Sequence, residues 1–155
     1  MYKENTRNQK QRNSNLFPHN AFGTRDNKSN RKDVSREKND IPKVFEETPF
    51  YKVLEEINSK KLGFTTVLDK NNKLKGTITD GDVRRGYLKF QNSISEKMAI
   101  DIMNLKPKTI APEDLAVSAL KIMEEYRISD LIVVDDSGKL TGIIDLKDLL
   151  KAGII

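Results

Sequence analysis

The chain has 155 residues, enough for one domain or two very small units, with 33% charged and 36% apolar side chains and a formal net charge of +5. The absence of cysteine excludes disulfide scaffolds, zinc fingers, iron–sulfur sites and thiol catalysis, so no metal site is expected. The single histidine, His19, leaves no Ser-His-Asp triad in the apolar-rich part and no histidine metal cluster.

Residues 1–40 carry ten Lys/Arg and five Asp/Glu, which is the whole net charge; residues 41–155 are neutral. Asn, Lys, Arg, Ser and Gln dominate this stretch without a period of 2 or 3.6. It cannot bury enough apolar area to offset roughly 1–2 kcal/mol of backbone entropy per residue, and a disordered polar tail is expected. A basic arm for nucleic acid is the alternative. Glu4, Asp26, Asp33, Glu37 and Asp40 interrupt its charge, so the composition argues against that partner. Residues 1–15 lack the apolar core of a secretory signal. No run of roughly 18 apolar residues is present to span a bilayer, so a cytoplasmic protein without a membrane partner is expected.

From Ile41 the pattern changes. A short extended segment at 43–45 leads to Thr48-Pro49, a capping hydroxyl before a proline at the first helical position. Phe50, Val53, Leu54 and Ile57 then form an apolar stripe at i, i+3, i+4, i+7, which predicts a helix ending near Leu62-Gly63, with Gly63 as its left-handed cap. Strands are predicted at 64–68 and 74–79, joined by a turn at 69–72, and a second helix starts at Thr79/Asp80.

The same order returns 66 residues later without a gap. Val67-Leu68-Asp69, Gly76 and Asp82 line up with Val133-Val134-Asp135, Gly142 and Asp148. The second copy predicts an extended segment at 109–111, a helix started by Pro112 with Leu115, Leu120, Ile122 and Met123 as apolar positions, strands at 131–134 and 140–144, and a helix from Asp145. The fold class is therefore mixed α/β, two β-α-β-β-α units packed as a pseudo-symmetric pair. Boundaries are expected at 1–40 for the tail, 41–96 for the first unit and 97–155 for the second. About fifty residues give too little core for one unit to stand alone. Apolar helix faces at Tyr51/Leu54 and Val117/Leu120/Met123 remain to be covered, and a homodimer is expected.

The strongest local signal runs from Gly76 to Arg85 (Gly-Thr-Ile-Thr-Asp-Gly-Asp-Val-Arg-Arg). A strand enters a helix start, where free N–H groups and the Thr79 hydroxyl favour a phosphate, and Asp82 one turn in can accept from a ribose diol. Thr79 and Asp82 can equally form only a helix capping box. Asp69, Asp135 and Asp136 read as turn formers. Glu55/Glu56 and Glu124/Glu125 read as solvent-facing helix pairs, and Tyr51, Phe64, Tyr87 and Tyr126 as core or interface aromatics.

This Gly-h-h-Thr-x-x-Asp pattern, after a strand and repeated, resembles the CBS domain, whose tandem pairs form Bateman modules. More narrowly, Asp40-Ile41-Pro42-Lys43-Val44, Leu62-Gly63, the run from Gly76 to Arg85, Asp101-Ile102-Met103 and the Asp148-Leu149-Leu150-Lys151-Ala152-Gly153 finish resemble the C-terminal half of arabinose-5-phosphate isomerases, which carry an N-terminal SIS domain. The resemblance implies a regulatory module without catalytic residues, binding a nucleotide-type ligand and no cofactor. Val44, Phe64 and Thr66 would line the base, Thr79 the phosphate, Asp82 the ribose, and Arg84 or Arg85, with Arg85 chosen, would add charge. It implies a weaker second cleft at Thr109, Asp145 and Asp148, because Asp145 stands where the first copy has Thr79 and a carboxylate repels phosphate. The resemblance does not extend to the SIS domain, which carries the sugar-phosphate site in that family, and a module without it is expected. Residues 17–25 look like an eroded form of its closing segment, with the family's active-site histidine falling at Phe17 and His19 on a glycine. A truncated or split regulatory part of the isomerase, partnered by a separate SIS chain, is the alternative function.

Overall fold

The computed structural model describes residues 40–114 and 116–153. The expectations for the polar tail, for residues 17–25 with His19, and for Leu115 lie outside the described residues. In chain order the elements are β1 (Lys43–Phe45), α1 (Phe50–Lys60), β2 (Phe64–Leu68), β3 (Leu74–Thr79), α2 (Asp80–Phe90), a 3-10 turn (Gln91–Glu96), α3 (Ala99–Ile102), β4 (Thr109–Ile110), α4 (Ala116–Tyr126), β5 (Asp130–Val134), β6 (Leu140–Asp145) and α5 (Leu146–Lys151). The order is β-α-β-β-α twice, as the repeat predicts. Among the described residues no helix is long and apolar enough to cross a membrane.

The first repeat forms one unit, Asn39–Pro107 together with the Ser137–Leu140 turn. β1 runs parallel to β2, pairing Val44 with Val67, and β2 runs antiparallel to β3, pairing Phe64 with Thr79 and Thr66 with Thr77. The period of 2 puts Val44, Val67 and Ile78 on the face that meets the α1 stripe of Phe50, Val53 and Ile57. Ile94, Ala99 and Ile102 close the same core. Each fully buried aliphatic side chain there contributes roughly 1.5–3 kcal/mol.

The segment after the 3-10 turn also belongs to this unit. Ala99 and Ile100 donate N–H bonds to the carbonyls of Thr48 and Glu46, and Asn104 exchanges two backbone bonds with Thr77 at 2.8 and 3.1 Å on the outer edge of β3. Gly76 leaves room for that crossing, since a Cβ there would lie 2.5 Å from the Asn104 carbonyl oxygen.

Several caps differ from expectation. Pro49 is itself the N-cap of α1, and the Thr48 hydroxyl instead accepts from the Phe45 N–H at 2.9 Å, tightening the turn before the helix. The left-handed C-cap of α1 is Lys61 at φ 57°, and Gly63 takes a second positive φ two residues on. The chain needs two such residues to reverse into β2, and only one is glycine. Glu56 does not simply face solvent: its Oε1 accepts from the Lys43 N–H at 3.2 Å and fixes β1 against α1.

In the second unit, covering Lys108–Asp136 and residues from Thr141, the sheet order is β4-β5-β6, with β4 parallel to β5. Ile110, Ala116, Ala119, Met123, Leu131, Val133, Ile144 and Leu149 form its core. Met123 therefore packs inward and is not part of the exposed α4 face, which keeps Val117. Pro112 lies in a turn closed by Asp114, whose Oδ2 accepts from the Ala111 N–H at 3.0 Å, and α4 starts only at Ala116.

Candidate functional site

At the first repeat's strand–helix junction, Thr79 is extended at φ −98°, ψ 167° and caps α2. Its hydroxyl oxygen accepts from the Asp82 N–H at 3.2 Å, while Asp82 Oδ2 accepts from both the Thr79 N–H and the Thr79 hydroxyl at 2.9 Å. Arg85 Nη2 donates to the other carboxylate oxygen at 2.6 Å. The capping box is thus formed, and the same cluster presents a hydroxyl, a carboxylate and a guanidinium at a helix start. The side chain of Asp82 is 12% exposed and that of Arg85 67%, so the arginine is the solvent-facing member of the pair. Gly81 adjoins both: a Cβ there would lie 3.3 Å from Arg85 Nη1 and 3.5 Å from Thr79 Oγ1.

The remaining residues expected in this cleft divide between the two faces of the sheet. Phe64 is buried and is the cross-strand partner of Thr79, which brings it to the cluster. Thr66 is buried two positions further, with its hydroxyl donating to the Pro42 carbonyl at 2.7 Å. The Val44 side chain faces the helical core and is not presented to the Thr79–Asp82–Arg85 cluster. Of the two arginines weighed, Arg85, the one chosen from the sequence, is the one that pairs with Asp82, at the i, i+3 spacing.

The second repeat builds a different junction. Asp145 caps α5 by accepting from the Lys147 N–H at 2.8 Å, and it is only 7% exposed. Asp148 lies 4.0 Å from Lys151 Nζ. Thr109 is exposed and pairs with Ile132 across β4 and β5. A carboxylate replaces the neutral hydroxyl donor, and that junction offers an anion less.

Each repeat also carries a groove of its own, where the end of its first helix meets the start of its second. One of about 470 Å³ is lined by Leu54, Ile57, Asn58, Lys61, Gly63 and Asp80. Its counterpart of about 350 Å³ uses Leu120, Met123, Glu124, Arg127, Ser129 and Leu146, each 66 residues on, together with Ile128. Lys61 and Arg127 both adopt positive φ. Neither groove is lined by Thr79, Asp82 or Arg85; both lie on the helical side. The offset in sequence did not reveal them, because a groove depends on how far apart the helix ends are held.

Comparison with known proteins agrees with this architecture. The CBS domain family model matches residues 32–89 and 99–154. The arabinose 5-phosphate isomerase KdsD of Pseudomonas aeruginosa is 39% identical over 115 residues, covering 74% of this chain and 35% of that protein. The chain spans about a third of the length of the curated relatives it matches, and the shared part is the CBS part. Among solved structures, CBSX2 in complex with AMP is 26% identical at a TM-score of 0.68, covering 79% of this chain and 93% of that one. A CBS domain-containing protein from Bacillus anthracis shares the fold at 20% identity and a TM-score of 0.70, covering 79% and 91%. Two matched repeats, two sheets of the same order and one internal offset lead to a single conclusion: the chain belongs to the CBS domain family, as a tandem pair.

Proposed function

We propose that the chain is a non-catalytic regulatory module that binds a nucleotide in the first repeat. Thr79 and the start of α2 hold the phosphate, Arg85 adds charge, Asp82 receives the ribose hydroxyls, and the base lies between the Val44 backbone and the strand from Phe64 to Thr66. Thr109, Asp145 and Asp148 form a weaker second cleft. The observation that carries this reading is the Thr79–Asp82–Arg85 cluster at 2.6–3.2 Å, set against the Asp145 cap of the second repeat. The likeness to a CBS protein solved with AMP supports the ligand class. Self-association through the exposed Tyr51/Leu54 and Val117 faces belongs to the same proposal, and a monomer by light scattering at micromolar concentration argues against it.

Calorimetry with AMP, ATP and CMP tests the cleft. Asp82→Ala removes a charge-assisted bond and is expected to weaken binding by about 1.5–3 kcal/mol, ten- to a hundred-fold, whereas Asp148→Ala changes it much less. Equal losses at both positions refute the assignment of one strong cleft. No heat with any nucleotide leaves Thr79 and Asp82 as a helix cap only.

A second reading is favoured by the 39% identity to KdsD: the module regulates a sugar-phosphate isomerase whose SIS domain resides elsewhere. Co-purification with a SIS-domain chain supports it, and turnover of arabinose 5-phosphate by this chain alone overturns the non-catalytic assignment.

A further inference from the structure

The Asp82 carboxylate is largely occupied by its own chain. Oδ2 is turned into the capping box and accepts from both the N–H and the hydroxyl of Thr79 at 2.9 Å. Oδ1 is the oxygen left outside that box, and it accepts from Arg85 Nη2 at 2.6 Å. A carboxylate oxygen offers about two lone pairs. A ribose diol donates two hydroxyls, and Oδ1 cannot receive both while Arg85 holds it. The guanidinium has another place to go. Its side chain is exposed whereas that of Asp82 is nearly buried, and a Cβ on Gly81 would lie 3.3 Å from Nη1 and 3.4 Å from Nη2. The group therefore lies beside the first turn of α2, and a helix start is where N–H groups attract a phosphate.

We propose that the Asp82–Arg85 pair is a latch that makes the cleft accept nucleotides and refuse nucleosides, an inference that rests on the nucleotide reading. When a nucleotide enters, Arg85 leaves Oδ1 to the ribose and pairs with the phosphate, so one ion pair replaces another. A nucleoside brings no phosphate, and its ribose displaces Arg85 only by leaving the guanidinium without an anion. A neutral hydroxyl is a weaker partner for a carboxylate than a guanidinium, so the latch stays shut. Arg85 is thus a specificity-determining residue: it blocks the ribose position until a phosphate draws it away.

Calorimetry with matched pairs, AMP with adenosine and CMP with cytidine, tests the latch on the wild type, Arg85→Ala and Arg84→Ala. Arg85→Ala opens Oδ1 and removes the phosphate partner. Nucleoside binding is expected to tighten and nucleotide binding to weaken. Their affinity ratio should fall roughly tenfold or more, the weight of one charge-assisted hydrogen bond. Arg84→Ala removes the same charge from the next helix position, which diverges by about 100°, and is expected to keep the wild-type ratio. A purely structural or long-range electrostatic role for Arg85 gives no gain in nucleoside affinity. A nucleoside bound no more tightly by Arg85→Ala than by the wild type overturns the latch and leaves the nucleotide cleft standing. No heat with AMP or CMP from the wild type overturns the nucleotide reading and the latch together.

Discussion

At Gly76 a single added methyl group meets backbone rather than a movable side chain. It would lie 2.5 Å from the Asn104 carbonyl oxygen and 3.0 Å from the Met103 sulfur. Gly76→Ala is therefore expected to destabilise the protein by about 1–3 kcal/mol, read as a lower urea midpoint. Asp69 works by charge. Its Oδ1 accepts from the Asn71 and Lys73 N–H groups at 2.8 and 3.0 Å and so shapes the turn between β2 and β3. The backbone bond from Lys73 is the largest cause holding its pKa below the usual carboxylate value, with Lys75 and Lys73 charges assisting. A depressed folded value means the stabilisation is complete above the unfolded pKa of about 3.9 and fades as pH falls through the folded one. Asp69→Asn, which keeps the acceptor and removes the charge, should lower the urea midpoint at pH 7, and the gap should close in strong acid. A gap independent of pH assigns the effect to shape alone.

Helix starts show how similar repeats diverge. In α2 the reciprocal bonds between Thr79 and Asp82 satisfy donors that would otherwise be orphaned, whereas at the start of α5 the Asp145 carboxylate accepts from the Lys147 N–H. Thr79→Ala is expected to cost about 0.5–2 kcal/mol, while Asp148→Ala, whose ion pair with Lys151 spans 4.0 Å, should stay within about 0.5 kcal/mol. Thermal melts of the two variants check the contrast. The elements themselves were legible because the 66-residue offset, the Phe50-Val53-Ile57 stripe and the β-branched strands all repeat local rules. The Thr-x-x-Asp signal was equally legible. What escaped was set by tertiary geometry: Pro49 replacing Thr48 as the cap, Lys61 taking a left-handed conformation, and Met123 turning inward. Asn104 closing β3 escaped for the same reason, since pairing across 27 residues leaves no periodic trace.

On the scale of the whole chain, the division of charge stands apart from the fold, since residues 41–155 are neutral while the first forty carry the entire excess. Residues that sequence spacing assigns to the second repeat help to close the first unit. Residues 97–104 supply Ala99 and Ile102 to its core, and bonds to Glu46, Thr48 and Thr77. This bears on how the chain tolerates being divided. A first-repeat fragment ended at Glu96 loses those contacts and bares the N–H and carbonyl of Thr77, an open template for another copy. One ended at Pro107 retains its own covering strand. The shorter fragment is expected to form large, concentration-dependent assemblies in sedimentation runs, and the longer one to remain a small discrete species. A break after residue 107 is thus expected to leave fewer open strand edges than one eleven residues earlier, where the repeat pattern alone would place it.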